Sequence, residues 1–151
     1  MGEHERREDR SVIGVLIVTH YRLAHEFLQA LRLIIGEAEH FAAIGLDPGM
    51  SPEEMRAQIQ KALHDVDQGH GVLVLVDMFG GTPSNLCLSF LEEGRIEVVT
   101  GLNLPMLVKV GRIVDQKPLH EVAATARDYG RRNISVASDL LAGREKPGGG
   151  E

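Results

Sequence analysis

Short apolar runs alternate along this chain with longer stretches in which apolar residues recur at helical spacing. The runs lie near residues 12–18, 41–46, 72–76 and 95–100. Continuous apolar runs of this length are typical of strands buried on both faces. Strands that alternate with helices pair in parallel through right-handed crossovers. The pattern therefore predicts an α/β fold with an open, mainly parallel four-stranded sheet and helices on both faces.

The helices have recognisable starts. Ser51 is followed by Pro-Glu-Glu, which gives an N-cap serine, a proline in the first turn and a glutamate at the capping-box position. Apolar residues at helical spacing predict another helix over residues 23–34, and further helices are expected after Thr82, Asn103 and Pro118.

A short alternating run at residues 134–138 predicts a fifth strand. Four parallel strands leave open sheet edges, and exposed edges are usually covered or paired. This run can pair with its own sheet or with a neighbouring chain, since its length permits either.

The length of 151 residues and an apolar share of 43% suit one domain with a full core. Residues 12–142 carry the periodic pattern. The charged extension at residues 1–11 and the Gly-rich end at residues 143–151 lack it, so both are predicted to be disordered or flexible.

Charge and composition exclude several classes of function. A net charge of -6 and an aromatic share of 4% oppose nucleic-acid binding. Cys87 is the only cysteine, so a cysteine metal site is not expected. The histidines at positions 25, 40, 64, 70 and 120 lack metal-ligand spacing, and no metal or cofactor is predicted. No apolar run is long enough to insert into a membrane, and we expect a cytoplasmic protein.

Candidate chemistry lies where the predicted strands end. Thr19 and His20 follow the first strand, and Asp77 follows the third. Ligands bind at the carboxyl ends of strands in open parallel sheets, so these side chains should converge. An aspartate that accepts the proton of one ring nitrogen leaves the other free to act as a nucleophile.

The segment after Asp77 favours anion binding. Gly80 and Gly81 permit a tight turn, Thr82 is the expected N-cap and Pro83 suits the first helical turn. Free amides at that helix start could bind an oxyanion. The segment has no lysine and no GxxxxGK[ST] pattern, so we expect it to hold one phosphoryl group on His20 rather than a nucleotide.

Three motifs in this order resemble a known family: Val-Thr-His at 18–20, Val-Asp-Met-Phe-Gly-Gly-Thr-Pro-Ser-Asn at 76–85, and Thr-Gly-Leu-Asn-Leu-Pro-Met-Leu at 100–107. Over about residues 12–138 the chain resembles the mannose-type enzyme IIA domain of the bacterial phosphoenolpyruvate-dependent sugar phosphotransferase system.

The resemblance implies a phosphohistidine carrier. His20 would accept a phosphoryl group from the phosphocarrier protein HPr and pass it to a separate IIB component, with Asp77 orienting His20. Gly80, Gly81, Thr82 and Thr19 would bind the phosphate. The resemblance also implies that the late strand is exchanged between two subunits of a homodimer.

Two alternatives remain open. The chain could be a regulatory sensor whose phosphorylation state controls another protein in an incomplete phosphotransferase chain. It could also be the phosphotransfer subunit that serves dihydroxyacetone kinase, although that branch lacks the Gly-Gly-Thr-Pro-Ser-Asn form of the third loop.

Overall fold

A parallel sheet forms the centre of the molecule. The computed structural model describes residues 11–148. The four strands lie in the order β2-β1-β3-β4 and all pair in parallel, with bounds β1 Gly14–His20, β2 Phe41–Leu46, β3 Val72–Val76 and β4 Ile96–Thr100. The predicted α/β class with a four-stranded parallel sheet is confirmed.

In residues 11–148 five helices cover the two faces of the sheet: α1 Leu23–Ile35, α2 Pro52–Val66, α3 Thr82–Leu88, α4 Leu104–Ile113 and α5 Leu119–Arg132. A sixth helix, α6 Ala137–Leu141, buries no residue. Alternate residues of β1 face opposite sides, so Val15 and Ile17 pack in the core under α1, α4 and α5. Leu16 and Val18 pack under α2 and α3. Both faces of the central strands are therefore buried, as their continuous apolar runs predict.

The register of the sheet decides which polar residues meet. Val18 on β1 lies opposite Val76 on β3. Beyond this pair β3 ends, whereas β1 continues to His20, so His20 and Asp77 lie side by side at the carboxyl end of the sheet. We call this end of the sheet the rim.

The helix starts follow the local sequence signals with one exception. Ser51 and Glu54 form a complete capping box on α2. Asn103 caps α4 by accepting a hydrogen bond from the Met106 N–H at 3.0 Å. For α3 the prediction that Thr82 is the N-cap is wrong, because Gly81 is the N-cap and Thr82 is the first helical residue.

The predicted fifth strand at residues 134–138 is also wrong in this chain. Residues 134–136 pair with no strand, and α6 begins at Ala137. The Val136 N–H donates to the Glu145 carboxylate at 3.1 Å, which replaces a strand partner with a local one. Arg144 and Asp139 form an ion pair at 2.9 Å that holds the start of the C-terminal segment against α6.

Some predictions fall outside the described residues. The expected disorder of residues 1–10 and 149–151 lies there. Within residues 11–148, no helix combines the length and hydrophobicity needed to cross a bilayer.

Candidate functional site

The turn after β1 places His20 at the rim. Tyr21 follows with φ of 50°, in the left-handed region, and its N–H donates to the Leu46 carbonyl at 3.0 Å. Gly45 on β2 makes room for this turn, because a Cβ there would lie 1.8 Å from the Tyr21 carbonyl oxygen. The bend ends the strand abruptly and leaves the His20 side chain 47% exposed.

Thr19 anchors the same turn from inside. Its side chain is fully buried. The hydroxyl accepts a hydrogen bond from the Ala24 N–H at 2.7 Å and donates to the His20 carbonyl at 3.1 Å. It thereby satisfies an N–H in the first turn of α1, whose own N-cap residue makes no side-chain bond. This burial argues against the expected contact of Thr19 with phosphate and gives the residue a positioning role.

One oxygen of the Asp77 carboxylate contacts His20, and the other accepts a backbone hydrogen bond that fixes the carboxylate in place. Its Oδ2 accepts from the His20 backbone N–H at 3.0 Å and lies 2.9 Å from the ring Nδ1. Its Oδ1 accepts from the Met78 N–H at 3.0 Å. A carboxylate only accepts, so the neutral ring must carry its proton on Nδ1. The lone pair then lies on Nε2, which is the nucleophilic position.

The glycine loop lies against the free nitrogen. Gly80 has φ of 95°, which favours glycine. Gly81 has ordinary extended dihedrals, but a Cβ on it would lie 2.9 Å from His20 Nε2 and 2.7 Å from Cε1. No side chain caps the first amides of α3, and its N-cap Gly81 lies against Nε2. The Thr82 side chain is exposed at the same place.

Two buried polar side chains of α3 lie behind this loop. Burial raises the pKa of the Cys87 thiol to about 12, which keeps the thiol protonated near neutral pH. The Ser84 hydroxyl is fully buried and has no hydrogen-bond partner among the described residues.

Sequence reasoning missed the exposed apolar side chains that follow His20 and Asp77 along the chain. Tyr21, Met78 and Phe79 are 58%, 54% and 69% exposed. The Arg22 guanidinium lies 5.3 Å from the centre of the Tyr21 ring. Two apolar residues between Asp77 and Gly80, where the chain is otherwise polar and turning, are the sequence signal that could have indicated this surface.

A separate cleft of about 510 Å³ lies along the outer side of β4, against α5. Its lining includes Glu97, Thr100, Arg127 and Ile134 but none of the residues predicted for the site. In residues 11–148 no group of three or more His, Cys, Asp or Glu side chains is arranged to hold a metal ion.

Comparison with known proteins identifies the family of this chain. The family described as "PTS system fructose IIA component", a component of the phosphotransferase system, matches residues 14–127. The fructose-specific EIIA component of Bacillus subtilis is 29% identical over 86% of this chain and 90% of its own length. The mannose-specific EIIAB component of Escherichia coli is 32% identical over 82% of this chain, and the match spans 39% of that longer protein.

Solved structures show the same fold. The EIIA component from Streptococcus agalactiae superposes with a TM-score of 0.76 at 27% identity, over 83% of this chain and 98% of the other. The mannose/sorbose-specific IIA subunit from Enterococcus faecalis gives 0.74 at 25% identity, over 83% and 94%. This chain belongs to the mannose family of phosphotransferase system IIA components.

Proposed function

We propose that this protein is a phosphohistidine carrier that accepts a phosphoryl group from HPr on Nε2 of His20 and passes it to a IIB component. The observation that carries the proposal is the 2.9 Å contact between Asp77 and Nδ1, which leaves Nε2 as the free nitrogen. The membership of the chain in the IIA family supports the choice of partners. A cytoplasmic location follows from those partners.

The transfer step needs no other reactant. The Nε2 lone pair forms a bond to phosphorus, and the bond between phosphorus and the donor's ring nitrogen breaks. The electron pair of that bond returns to the donor nitrogen. The proton stays on Nδ1 of His20, where the Asp77 carboxylate offsets the positive charge that develops on the ring.

The loop after β3 is proposed to bind the phosphoryl oxygens. Gly81 lies against Nε2 and is the N-cap of α3, where negative charge is favoured, so the amides at Gly80, Gly81 and Thr82 are the proposed donors to the phosphoryl oxygens. The exposed Thr82 hydroxyl can add a hydrogen bond. Thr19 acts indirectly in this proposal, because its buried hydroxyl fixes the backbone of His20.

Reconstitution tests the assignment. The protein is mixed with phosphoenolpyruvate, enzyme I and HPr, and intact-mass spectrometry detects the bound phosphate before and after acid treatment. We expect an acid-labile phosphate that is absent from His20→Ala. His25→Ala is the matched control, because His25 is also exposed but lies on α1. Labelling of His20→Ala at the wild-type level, or an acid-stable phosphate, would contradict the proposal.

We also propose that the protein is a homodimer in which residues 134–141 of each chain cover the outer edge of β4 in the other. Ile134, Val136 and Leu141 are 71%, 60% and 91% exposed in the single chain, and α6 buries no residue. The cleft beside β4 is lined by both apolar and polar residues. It lies next to the outer edge of β4, with which no further strand of the described sheet pairs.

Sedimentation tests the assembly. We expect twice the chain mass at low micromolar concentration and a shift towards the monomer when residues 133–151 are deleted. A chain that stays monomeric at high concentration would refute the exchange and leave the His20 proposal untouched.

A further inference from the structure

The chain reverses direction after α6 and packs against the residues that precede this helix. Gly143 has φ of 73°, a left-handed conformation that favours glycine, and its N–H donates to the Leu140 carbonyl at 3.2 Å. The following residues reach the end of α5, where a Cβ on Gly148 would collide with the carbonyl oxygen of Arg132. We use the name return segment for residues 143–148.

Two charged side chains hold the return segment against the start of α6. The Arg144 guanidinium and the Asp139 carboxylate form an ion pair at 2.9 Å, with the two side chains 64% and 40% exposed. The Glu145 carboxylate accepts a hydrogen bond from the Val136 N–H at 3.1 Å. Both contacts lie at the surface, where such contacts are weak. The return segment can therefore be displaced at a small cost in free energy.

Val136 is the central residue of the alternating run at residues 134–138, and both of its backbone groups are occupied. Its N–H is bound by Glu145, and its carbonyl accepts from the N–H groups of Asp139 and Leu140 at 3.0 and 3.1 Å. A residue that pairs with a sheet edge needs these groups for the neighbouring strand. The return segment and the first turn of α6 therefore oppose pairing of this run with an edge.

The apolar side chains of the same run remain largely in water. Ile134 and Val136 are 71% and 60% exposed, although Ile134 borders the cleft beside β4. Removal of apolar surface from water is favourable, so a second chain that covers these side chains stabilises a different conformation of the run. Two sets of contacts therefore compete for residues 134–138. One set is local and polar, and the other belongs to the proposed homodimer.

We propose that the return segment is an intramolecular latch that opposes strand exchange in the homodimer proposed above. While Arg144 and Glu145 hold their partners, the run stays on its own chain. Release of these contacts frees the Val136 N–H and lets the run reach the edge of β4 in a second copy. The latch rests on the proposed homodimer and sets how tightly its two chains associate.

Glu145→Ala opens the latch at its contact with Val136, because it removes the carboxylate that accepts from the Val136 N–H. An exposed charged contact shifts a local equilibrium by up to about fivefold. Both chains of a dimer must open, so we expect the dissociation constant of the dimer to fall by about 25-fold. Gly148→Ala is a second, independent variant. Its Cβ collides with the Arg132 carbonyl oxygen, so it should displace the end of the return segment and lower the dissociation constant as well.

Fluorescence-detected sedimentation velocity of the full-length protein, from nanomolar to micromolar concentration, measures the dissociation constants. Glu37→Ala is the matched control. It also removes an exposed glutamate, but Glu37 precedes β2, which is the edge strand opposite β4. The control is needed because the net charge of -6 makes two copies repel, and loss of any carboxylate weakens that repulsion. We expect the wild-type dissociation constant for Glu37→Ala and wild-type phosphorylation of His20 in all three variants.

The other outcomes overturn the latch in distinct ways. Dissociation constants of Glu145→Ala and Gly148→Ala at or above the wild-type value would exclude the latch and leave the homodimer in place. An equal fall in Glu37→Ala would assign the effect to net charge and exclude the latch. If the wild type and every variant stay monomeric at the highest concentration, the homodimer is refuted together with the latch. A wild-type protein that takes no phosphoryl group would overturn the carrier proposal alone, because sedimentation reads the latch independently of His20.

Discussion

Gly81→Ala is the sharpest test of how the glycine loop serves His20. Gly81 has φ of -107° and ψ of 177°, which is extended backbone open to any residue, so alanine introduces no backbone strain. Its Cβ would instead lie 2.7 Å from Cε1 and 2.9 Å from Nε2 of His20. The substitution therefore acts on the nucleophilic edge of the ring.

The magnitude follows from these distances. Carbon atoms in contact lie about 3.5–4.0 Å apart, so the ring must retreat by roughly 0.8 Å or more. The ring is held by Asp77 at 2.9 Å, and retreat lengthens or breaks that hydrogen bond. A misplacement of about 1 Å costs on the order of 10²-fold in rate. We expect single-turnover phosphorylation of Gly81→Ala to slow by about that factor, with a change in unfolding free energy below ~0.5 kcal/mol, as for a surface substitution.

Gly80→Ala is the matched control, for which we expect a loss of stability and a much smaller loss of phosphorylation rate. Gly80 has φ of 95°, and a Cβ there would meet nothing within 4 Å. Alanine is strained in this conformation and should cost about 1 kcal/mol or more of stability. The substitution keeps the backbone amide at this position and places no atom against His20, so phosphorylation should slow far less than in Gly81→Ala. Rapid-quench experiments measure the phosphorylation rates of both variants, and urea denaturation measures their unfolding free energies. A wild-type phosphorylation rate for Gly81→Ala would refute the steric argument. So would a phosphorylation rate for Gly80→Ala that is lower than that of Gly81→Ala.

Three further changes test the surroundings of the site. Asp77→Asn should slow single-turnover phosphorylation while the circular dichroism spectrum is kept, by less than the ~10⁴-fold extreme seen for an orienting aspartate in serine proteases. Ser84→Ala should raise the unfolding free energy in urea by about 1 kcal/mol, because it removes a buried hydroxyl without a partner in the described residues. Cys87 should resist iodoacetamide in the native protein near neutral pH and react after unfolding. Since burial raises its pKa from 9.0 to about 12, its contribution to stability is present below pH 9.0 and is lost as the pH rises towards 12, and Cys87→Ala should remove that part of the pH dependence.

The sheet could be predicted because its strands are uniformly apolar. The bounds of β2 and β3 match the predicted runs at 41–46 and 72–76. For β1 the prediction ended at Val18, whereas the strand continues to His20, since Thr19 and His20 still pair with Gly45 and Leu46. Thr19 is buried but polar and His20 is exposed, so an apolar pattern misses both residues. Backbone pairing extends past the last apolar residue wherever a neighbouring strand is available.

The convergence of His20 and Asp77 could be inferred from topology, because parallel strands end at one edge. The backbone turn that orients the His20 side chain could not be inferred from the sequence. A left-handed turn is visible in a sequence when glycine occupies it, and here tyrosine does, with the necessary space supplied by Gly45 on another strand. Gly45 lies within an apolar run and resembles an ordinary core position. Its requirement arises only from packing between segments that are distant in the sequence.

Residues 134–138 show that a strand cannot be predicted from its own sequence pattern when its pairing partner is unknown. Alternation over five residues fits a strand, but a strand needs a pairing edge. The edge strands of the described sheet are β2 and β4, and Ile134 lies in the cleft beside β4. The bonding groups of that edge are partly used already, because Glu92 pairs with Ile96 and the Glu97 carboxylate accepts from the Val98 N–H at 3.0 Å. Within one chain the segment therefore takes local partners and turns into α6. In the proposed homodimer a second chain supplies the pairing edge, and a single sequence pattern does not contain that information.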